Sequence, residues 1–314
     1  MSAELRGCIP IVATPFNADF SIDEDSLRAE VEYLIGAGVH GLATPAIASE
    51  GYKLSDVERE RVARVVVEKA SGRVPVVVSV DGNGTEVAVV RARAAAALGA
   101  DALMVLPPMF VKPDMANLER YFARIAAAAS LPIMVQDAPQ LTGVALPVAL
   151  LERLHAASPL IASVKLEGTP AGAKTSEILH RLKGRMAVFA GWGGLSFWEG
   201  LQRGATGCMP AANFGAILAQ VYDRYCADEH AAARALFDAA TPFIAWSMQS
   251  IDLSVWCAKE VLMREGVLRS NVLREPATLP DAVMVAEFER LAGGTPAHGQ
   301  SPEEDRLYMK RRAV

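Results

Sequence analysis

Lys165 closes the apolar run Ile161-Ala162-Ser163-Val164, so its ammonium is expected at the end of a buried strand, where loss of water disfavours the charged form. A lysine held partly neutral attacks carbonyl carbon, and the Schiff base so formed draws electrons from the neighbouring carbon. A lysine ion-paired with a neighbouring loop fits the same position. Glu167 follows two residues on and faces the same way if the strand continues. As pairing partner or as general base it suits the position equally, and both roles stay open. Thr14, Ser49, Glu50, Asp81, Pro107, Gln136, Asp137, Trp192 and Asn213 stand after other apolar runs. Trp192 is placed to cover a substrate or to pack, Asn213 and Ser196 to meet sugar hydroxyls, and Glu50 to orient its loop.

Those runs imply the elements that position the candidates. Ile9–Ala13, Gly41–Thr44, Pro75–Val80, Ala102–Leu106, Pro132–Gln136, Ile161–Lys165, Ala187–Ala190 and Gly207–Met209 are short and almost continuously apolar, as parallel strands covered on both faces are. Amphipathic stretches such as Asp25–Ala37 and Asp56–Ala70 separate them. Glycines in Gly36-Ala37-Gly38, Leu98-Gly99-Ala100 and Arg203-Gly204-Ala205 suit left-handed helix ends before a strand. Eight strand-then-helix units predict an α/β fold, a (β/α)8 TIM barrel over 1–212, whose reactive groups stand at the C-terminal ends of the strands. Four helical patterns follow, at Ala216–Asp228, Ala231–Ser247, Ser254–Glu265 and Asp281–Ala292, with Pro276 and Pro280 marking a loop. They predict a C-terminal α-helical domain over 213–293. The composition turns to linker from Gly293, so 294–314 is expected to be a mobile tail or to lie at a subunit contact.

The composition narrows the function classes. With 31 Lys+Arg against 36 Asp+Glu, and its one dense basic run at Lys310-Arg311-Arg312, the chain lacks the field that attracts phosphate backbones, and nucleic acid is not an expected partner. Its 52% hydrophobic content is broken by charges every few residues, short of the ~18 uninterrupted apolar residues of a membrane span. The first residues, with Glu4 and Arg6, do not read as a signal peptide. Cys8, Cys208, Cys226 and Cys257 lack Cys-x-x-Cys spacing and lie in apolar segments, which predicts buried reduced thiols and a cytoplasmic protein. The five histidines are scattered and suggest no metal site. Asp81-Gly82-Asn83-Gly84-Thr85 lacks the lysine and spacing of a nucleotide loop and reads as a turn between strand and helix.

Taken in order, several segments resemble the dihydrodipicolinate synthase/N-acetylneuraminate lyase family. They are Thr14-Pro15-Phe16, Ser49-Glu50-Gly51, Leu106-Pro107-Pro108, Pro132 to Pro139, Val164-Lys165, Gly191 and Gly204-Ala205-Thr206-Gly207. The resemblance implies a barrel with a C-terminal helical domain, assembled as a homo-oligomer (tetramer or dimer). It makes Lys165 the Schiff-base lysine. It also makes Ile47-Ala48-Ser49 the segment whose amides and hydroxyl hold a keto-acid carboxylate, with Thr14 and Gly191 beside the substrate. The family's tyrosine at the end of strand five is replaced by Gln136, its Tyr-Tyr after strand four by Met109-Phe110, its arginine before Thr142-Gly143 by Leu141, and two threonines by Ile47 and Ala48. An amide transfers no proton usefully near neutral pH, so lysine-pathway synthase activity is not expected.

Gln136-Asp137-Ala138-Pro139, Lys165-x-Glu167-x-Thr169-Pro170 and Ala258-Lys259-x-x-Leu262-Met263-Arg264-Glu265-Gly266 are similar to a narrower subgroup, the 2-keto-3-deoxyarabonate dehydratases. The subgroup's Asn-Phe-Ser-Glu reads Ile47-Ala48-Ser49-Glu50 here. This implies a hydro-lyase on a 2-keto-3-deoxypentonate, with Lys165 as nucleophile, Glu167 as base and Gln136 as a hydrogen-bonding group, needing no metal or organic cofactor. An aldolase making or using pyruvate is the alternative, and a non-catalytic keto-acid-binding barrel the second.

Overall fold

A computed structural model of the chain describes residues 5–294; of the tail expected over 294–314, all but Gly294 lies outside the described residues. Eight parallel strands, β1 (Gly7–Cys8), β2 (Leu42–Thr44), β3 (Val76–Ser79), β4 (Ala102–Val105), β5 (Ile133–Asp137), β6 (Ile161–Leu166), β7 (Ala187–Ala190) and β8 (Gly207–Cys208), pair in the order β1-β8-β7-β6-β5-β4-β3-β2. The seam between β1 and β2 closes just past β1, where Ile11 bridges Ala43 on one side and Ala211 on the other. Val12 N–H donates to Ala43 O at 2.9 Å and Ala43 N–H to Pro10 O at 3.0 Å. In place of the strand expected over Ile9–Ala13 there is a ladder at Gly7–Cys8, before that range, and a pair of isolated bridges at Ile11. Pro10 falls between the two and has no N–H to donate.

Helices α1 (Glu24–Gly36), α2 (Asp56–Ala70), α3 (Thr85–Leu98), α4 (Met115–Ala129), the single turn α5 (Pro139–Thr142), α6 (Val148–Ala157), α7 (Ala171–Arg181) and α8 (Phe197–Arg203) connect the strands. Their ends obey local chemistry. Ser55 and Glu58 form a capping box at the start of α2, while Gly99 (φ 91°) and Gly204 (φ 95°) end α3 and α8 in the left-handed region expected of them. After β8 come α9 (Gly215–Cys226), α10 (His230–Ser247), α11 (Ile251–Arg264) and α12 (Ala282–Ala292).

The period of two along each strand divides the core into layers. Outward residues such as Leu103, Val105, Ile133, Val135 and Val164 pack under the helices. Inward ones, including Ile9, Val77, Met104, Met134, Phe189 and Met209, fill the barrel. On β6 the alternation that sends Val164 and Leu166 outward leaves Ser163 and Lys165 inward. Cys8, Cys208 and Cys257 are buried free thiols; Cys226, in the last turn of α9, is exposed, contrary to the expectation from its apolar surroundings. Among the described residues no helix is long and apolar enough to cross a membrane.

Candidate functional site

The pairing of β5 with β6 builds the centre of the site. Gln136 stands opposite Lys165 and Asp137 opposite Leu166. Just past the strand, Glu167 N–H donates to Asp137 O at 2.9 Å, which keeps the backbone extended for one more residue and returns the Glu167 side chain to the Lys165 face. Lys165 Nζ and Glu167 Oε1 lie 3.0 Å apart, with both residues about 95% buried (5% and 6% exposed). Gln136 donates from Nε2 to the same Oε1 at 2.6 Å, and its own Oε1 is buried with no donor. Both readings of the sequence thus meet in one arrangement, since the lysine is ion-paired and its partner is the candidate base.

These three side chains line a half-open pocket at the C-terminal end of the barrel. Ile47 and Ala48 form one wall, Trp192 and Gly193 another, and Met248, Ile251 and Ser254 from α10–α11 a third. Among the described residues lining the pocket, Lys165 and Glu167 are the titratable ones, and no group of three or more His, Cys, Asp or Glu able to hold a metal occurs among the described residues.

The other candidates surround this pocket without lining it. Ser49 donates from Oγ to Val12 O at 2.5 Å and accepts from Ala46 N–H at 3.1 Å, while Thr14 Oγ1 donates to Ser49 O at 2.6 Å. Both hydroxyls brace the single 3-10 turn Ile47–Ser49 against the segment Val12–Thr14 that follows β1. Gly191 acts by clearance, since a Cβ there would lie 2.3 Å from Glu167 Cγ. Asn213, in the turn after β8, has both side-chain polar atoms buried and unpartnered.

Several supports were not apparent in the sequence. Gln140, on α5, donates from Nε2 to Glu167 O at 2.7 Å. Lys174, on α7, donates to the Asp137 carboxylate and to Leu146 O at 2.6 Å, pinning the end of β5 from outside. Burial pushes the Asp137 carboxyl up, and Lys174 opposes that rise. Glu50 is wholly buried in a left-handed conformation (φ 54°) and is held by Lys259 Nζ, by Lys53 Nζ at 3.1 Å and by Arg274 N–H at 2.9 Å. The Phe16 ring lies between two of these cations, its centroid 4.4 Å from Lys259 Nζ and 4.5 Å from Arg274 Cζ. Burial lowers Lys259 to about 8 against the pull of Glu50. The signal that could have found this clamp is the acid beside the turn together with a lysine inside the apolar pattern of α11.

Known proteins carry this arrangement of elements across the chain. The Dihydrodipicolinate synthetase family matches residues 4–292. An L-2-keto-3-deoxyarabonate dehydratase from Azospirillum brasilense is 32% identical over 278 residues, 86% of this chain and 88% of that protein. A 4-hydroxy-tetrahydrodipicolinate synthase from Acidobacterium capsulatum is 32% identical over 293 residues, 92% and 95% of the two chains. The crystal structure of dihydrodipicolinate synthase from Rhodopseudomonas palustris superimposes with a TM-score of 0.85 at 26% identity, covering 92% of this chain and 97% of that one. On the family match along nearly all its length, and on two relatives above 30% identity that cover most of both chains, the chain belongs to the dihydrodipicolinate synthetase family.

Proposed function

We propose that this family member is a Schiff-base hydro-lyase of 2-keto-3-deoxy sugar acids, dehydrating a 2-keto-3-deoxypentonate to a keto-acid semialdehyde. The observation that carries the reading is the pocket's pair of titratable groups, an amine and a carboxylate 3.0 Å apart, with an amide as their third polar neighbour. Glu167 takes a proton from the Lys165 ammonium, and the free amine adds to the C2 carbonyl; Glu167 then gives that proton to the carbinolamine oxygen, which leaves as water, so the iminium forms and Glu167 is again a carboxylate. Glu167 then removes a proton from C3, and the electron pair moves into the enamine. The enamine expels the C4 hydroxyl, which leaves as water with the proton that Glu167 returns. The unsaturated iminium then loses a proton from C5 and gains one at C3, the resulting C5 enol tautomerises to the aldehyde, and hydrolysis of the imine frees Lys165. The chemistry needs no metal or organic cofactor. The backbone of Ile47 and Ala48 is the candidate carboxylate site, Trp192 covers the bound acid, and the molecule works as a homo-oligomer.

The name of the Azospirillum relative supports dehydration. The second reading, C3–C4 cleavage or formation with pyruvate, is supported by relatives named 4-hydroxy-tetrahydrodipicolinate synthase. It requires a base for the C4 hydroxyl besides the group that serves C3. Borohydride reduction with pyruvate should add one pyruvyl mass to the peptide containing Lys165, and an unmodified Lys165 would sink the Schiff-base reading. With 2-keto-3-deoxypentonates, a semialdehyde product supports dehydration and free pyruvate supports cleavage.

A further inference from the structure

The turn that is the candidate carboxylate site is short of a side-chain donor. Ser49 N–H and Glu50 N–H close it onto Ala46 O at 3.1 Å and Ile47 O at 2.9 Å, so the N–H groups of Ile47 and Ala48 ahead of them have no partner inside the turn. The side chains of Ile47 and Ala48 carry no hydroxyl, and Ser49 Oγ is turned away to Val12 O. A carboxylate offers about four acceptor positions on its two oxygens, more than two amides fill.

One hydroxyl reaches the pocket from the C-terminal helices. Ser254, on α11, is 4% exposed and lines the pocket together with Ile251, its neighbour three residues back on the same helix face. Its N–H is used within the helix, donating to Ser250 O at 3.1 Å, while no hydrogen bond among the described residues engages its Oγ. Among the described residues lining the pocket it is the one side chain with a hydroxyl. Helix α11 packs against the Ile47–Ser49 turn itself, which brings this hydroxyl and the two amides to one side of the pocket. The acid in the first turn of α11 is engaged elsewhere, since Asp252 accepts from Thr278 N–H at 2.8 Å and lies 3.8 Å from Lys53 Nζ. We infer that Ser254 Oγ donates a hydrogen bond to the carboxylate of the bound keto acid, completing with the Ile47 and Ala48 amides a site of three donors. This rests on the Schiff-base reading above and names the residue through which the pocket prefers 2-keto acids to simple ketones, because a hydrogen bond to an ion is stronger than one between neutral groups.

The test compares pyruvate with acetone, which keeps the carbonyl and lacks the carboxylate, each trapped on the protein with cyanoborohydride over a concentration series. Mass spectrometry follows the adduct. In Ser254→Ala the expected result is half-saturation with pyruvate at about tenfold higher concentration, the worth of one hydrogen bond to an ion, with the maximal trapping rate and the capture of acetone unchanged. Unchanged half-saturation with pyruvate overturns the inference and leaves the Schiff base standing. An equal loss for acetone does the same, because it places the effect on Lys165 or on the fold and not on the carboxylate. Failure of the unaltered protein to trap either compound removes the Schiff-base reading and the inference with it.

Discussion

Glu167 is held at both ends. Its carboxylate faces Lys165 and Gln136, while Gln140 grips its backbone carbonyl and the missing side chain at Gly191 leaves space for its methylene. Positioning of this kind separates capture from turnover. In Glu167→Gln the ammonium loses its proton to water instead, so pyruvate should still be trapped on Lys165 but more slowly, whereas dehydration, which also needs the base at C3, should slow by about 10²–10⁴-fold, the usual worth of a placed acid–base group. A variant that turns over at the parent rate would remove Glu167 from the mechanism. Lys165 was legible in the sequence because four residues with no formal charge lead into it, and Glu167 because a strand repeats every two residues. Lys174, Gln140 and the clearance role of Gly191 were not legible, because each acts across a contact between elements distant in sequence.

Among the elements, the turn Ile47–Ser49 is the one most dependent on others. Thr14 and Val12 brace it from the segment after β1, and Glu50 ties it to α11, the helix that also supplies Ile251 and Ser254 to the pocket wall. The C-terminal helices are thus structural parts of the pocket. Lys259→Met leaves Glu50 buried with one cation fewer, and removing one partner of a buried pair costs about 3–5 kcal/mol. We expect a lower melting temperature, and a raised KM for the keto acid as the turn loosens. A variant with unchanged melting temperature and KM would show that Lys53 and Arg274 suffice. The sequence placed α2 at Asp56–Ala70 and β7 at Ala187–Ala190, as observed, because capping residues or a glycine-bounded apolar run mark them. It placed β1 too late, at Ile9–Ala13 instead of Gly7–Cys8, because hydrophobicity alone does not register the missing donor of Pro10.

At the scale of the whole molecule, the order of eight strands and the four helices after them was readable, since repeated patterns outweigh errors at single boundaries. The charges sealed inside it were not readable from periodicity. Burial raises Glu30 to about 8; one of its oxygens accepts from Ala13 N–H at 2.7 Å and the other has no partner. Between its ordinary value near 4.5 and about 8, folded Glu30 holds a proton that the unfolded chain has released. Its contribution to stability is therefore complete at low pH and is lost as pH rises through that window, by an amount on the order of a few kcal/mol. Lys259, depressed to about 8, acts above that window, where the unfolded chain holds the extra proton and rising pH stabilises the fold. Melting temperature followed from pH 5 to 8 should fall less steeply in Glu30→Gln than in the parent, and parallel slopes would contradict the assignment.

The rim of the pocket has an optical consequence. All four tryptophans lie after β7, at positions 192, 198, 246 and 256, and of these only Trp192 lines the cavity. The protein therefore carries one intrinsic fluorophore at the chemical centre, while α8, α10 and α11 hold the other three. With excitation where only tryptophan absorbs, emission changes on ligand capture and on loosening of the helical layer should arise from different indoles, and the first half of the barrel, which holds tyrosines but no tryptophan, contributes to neither.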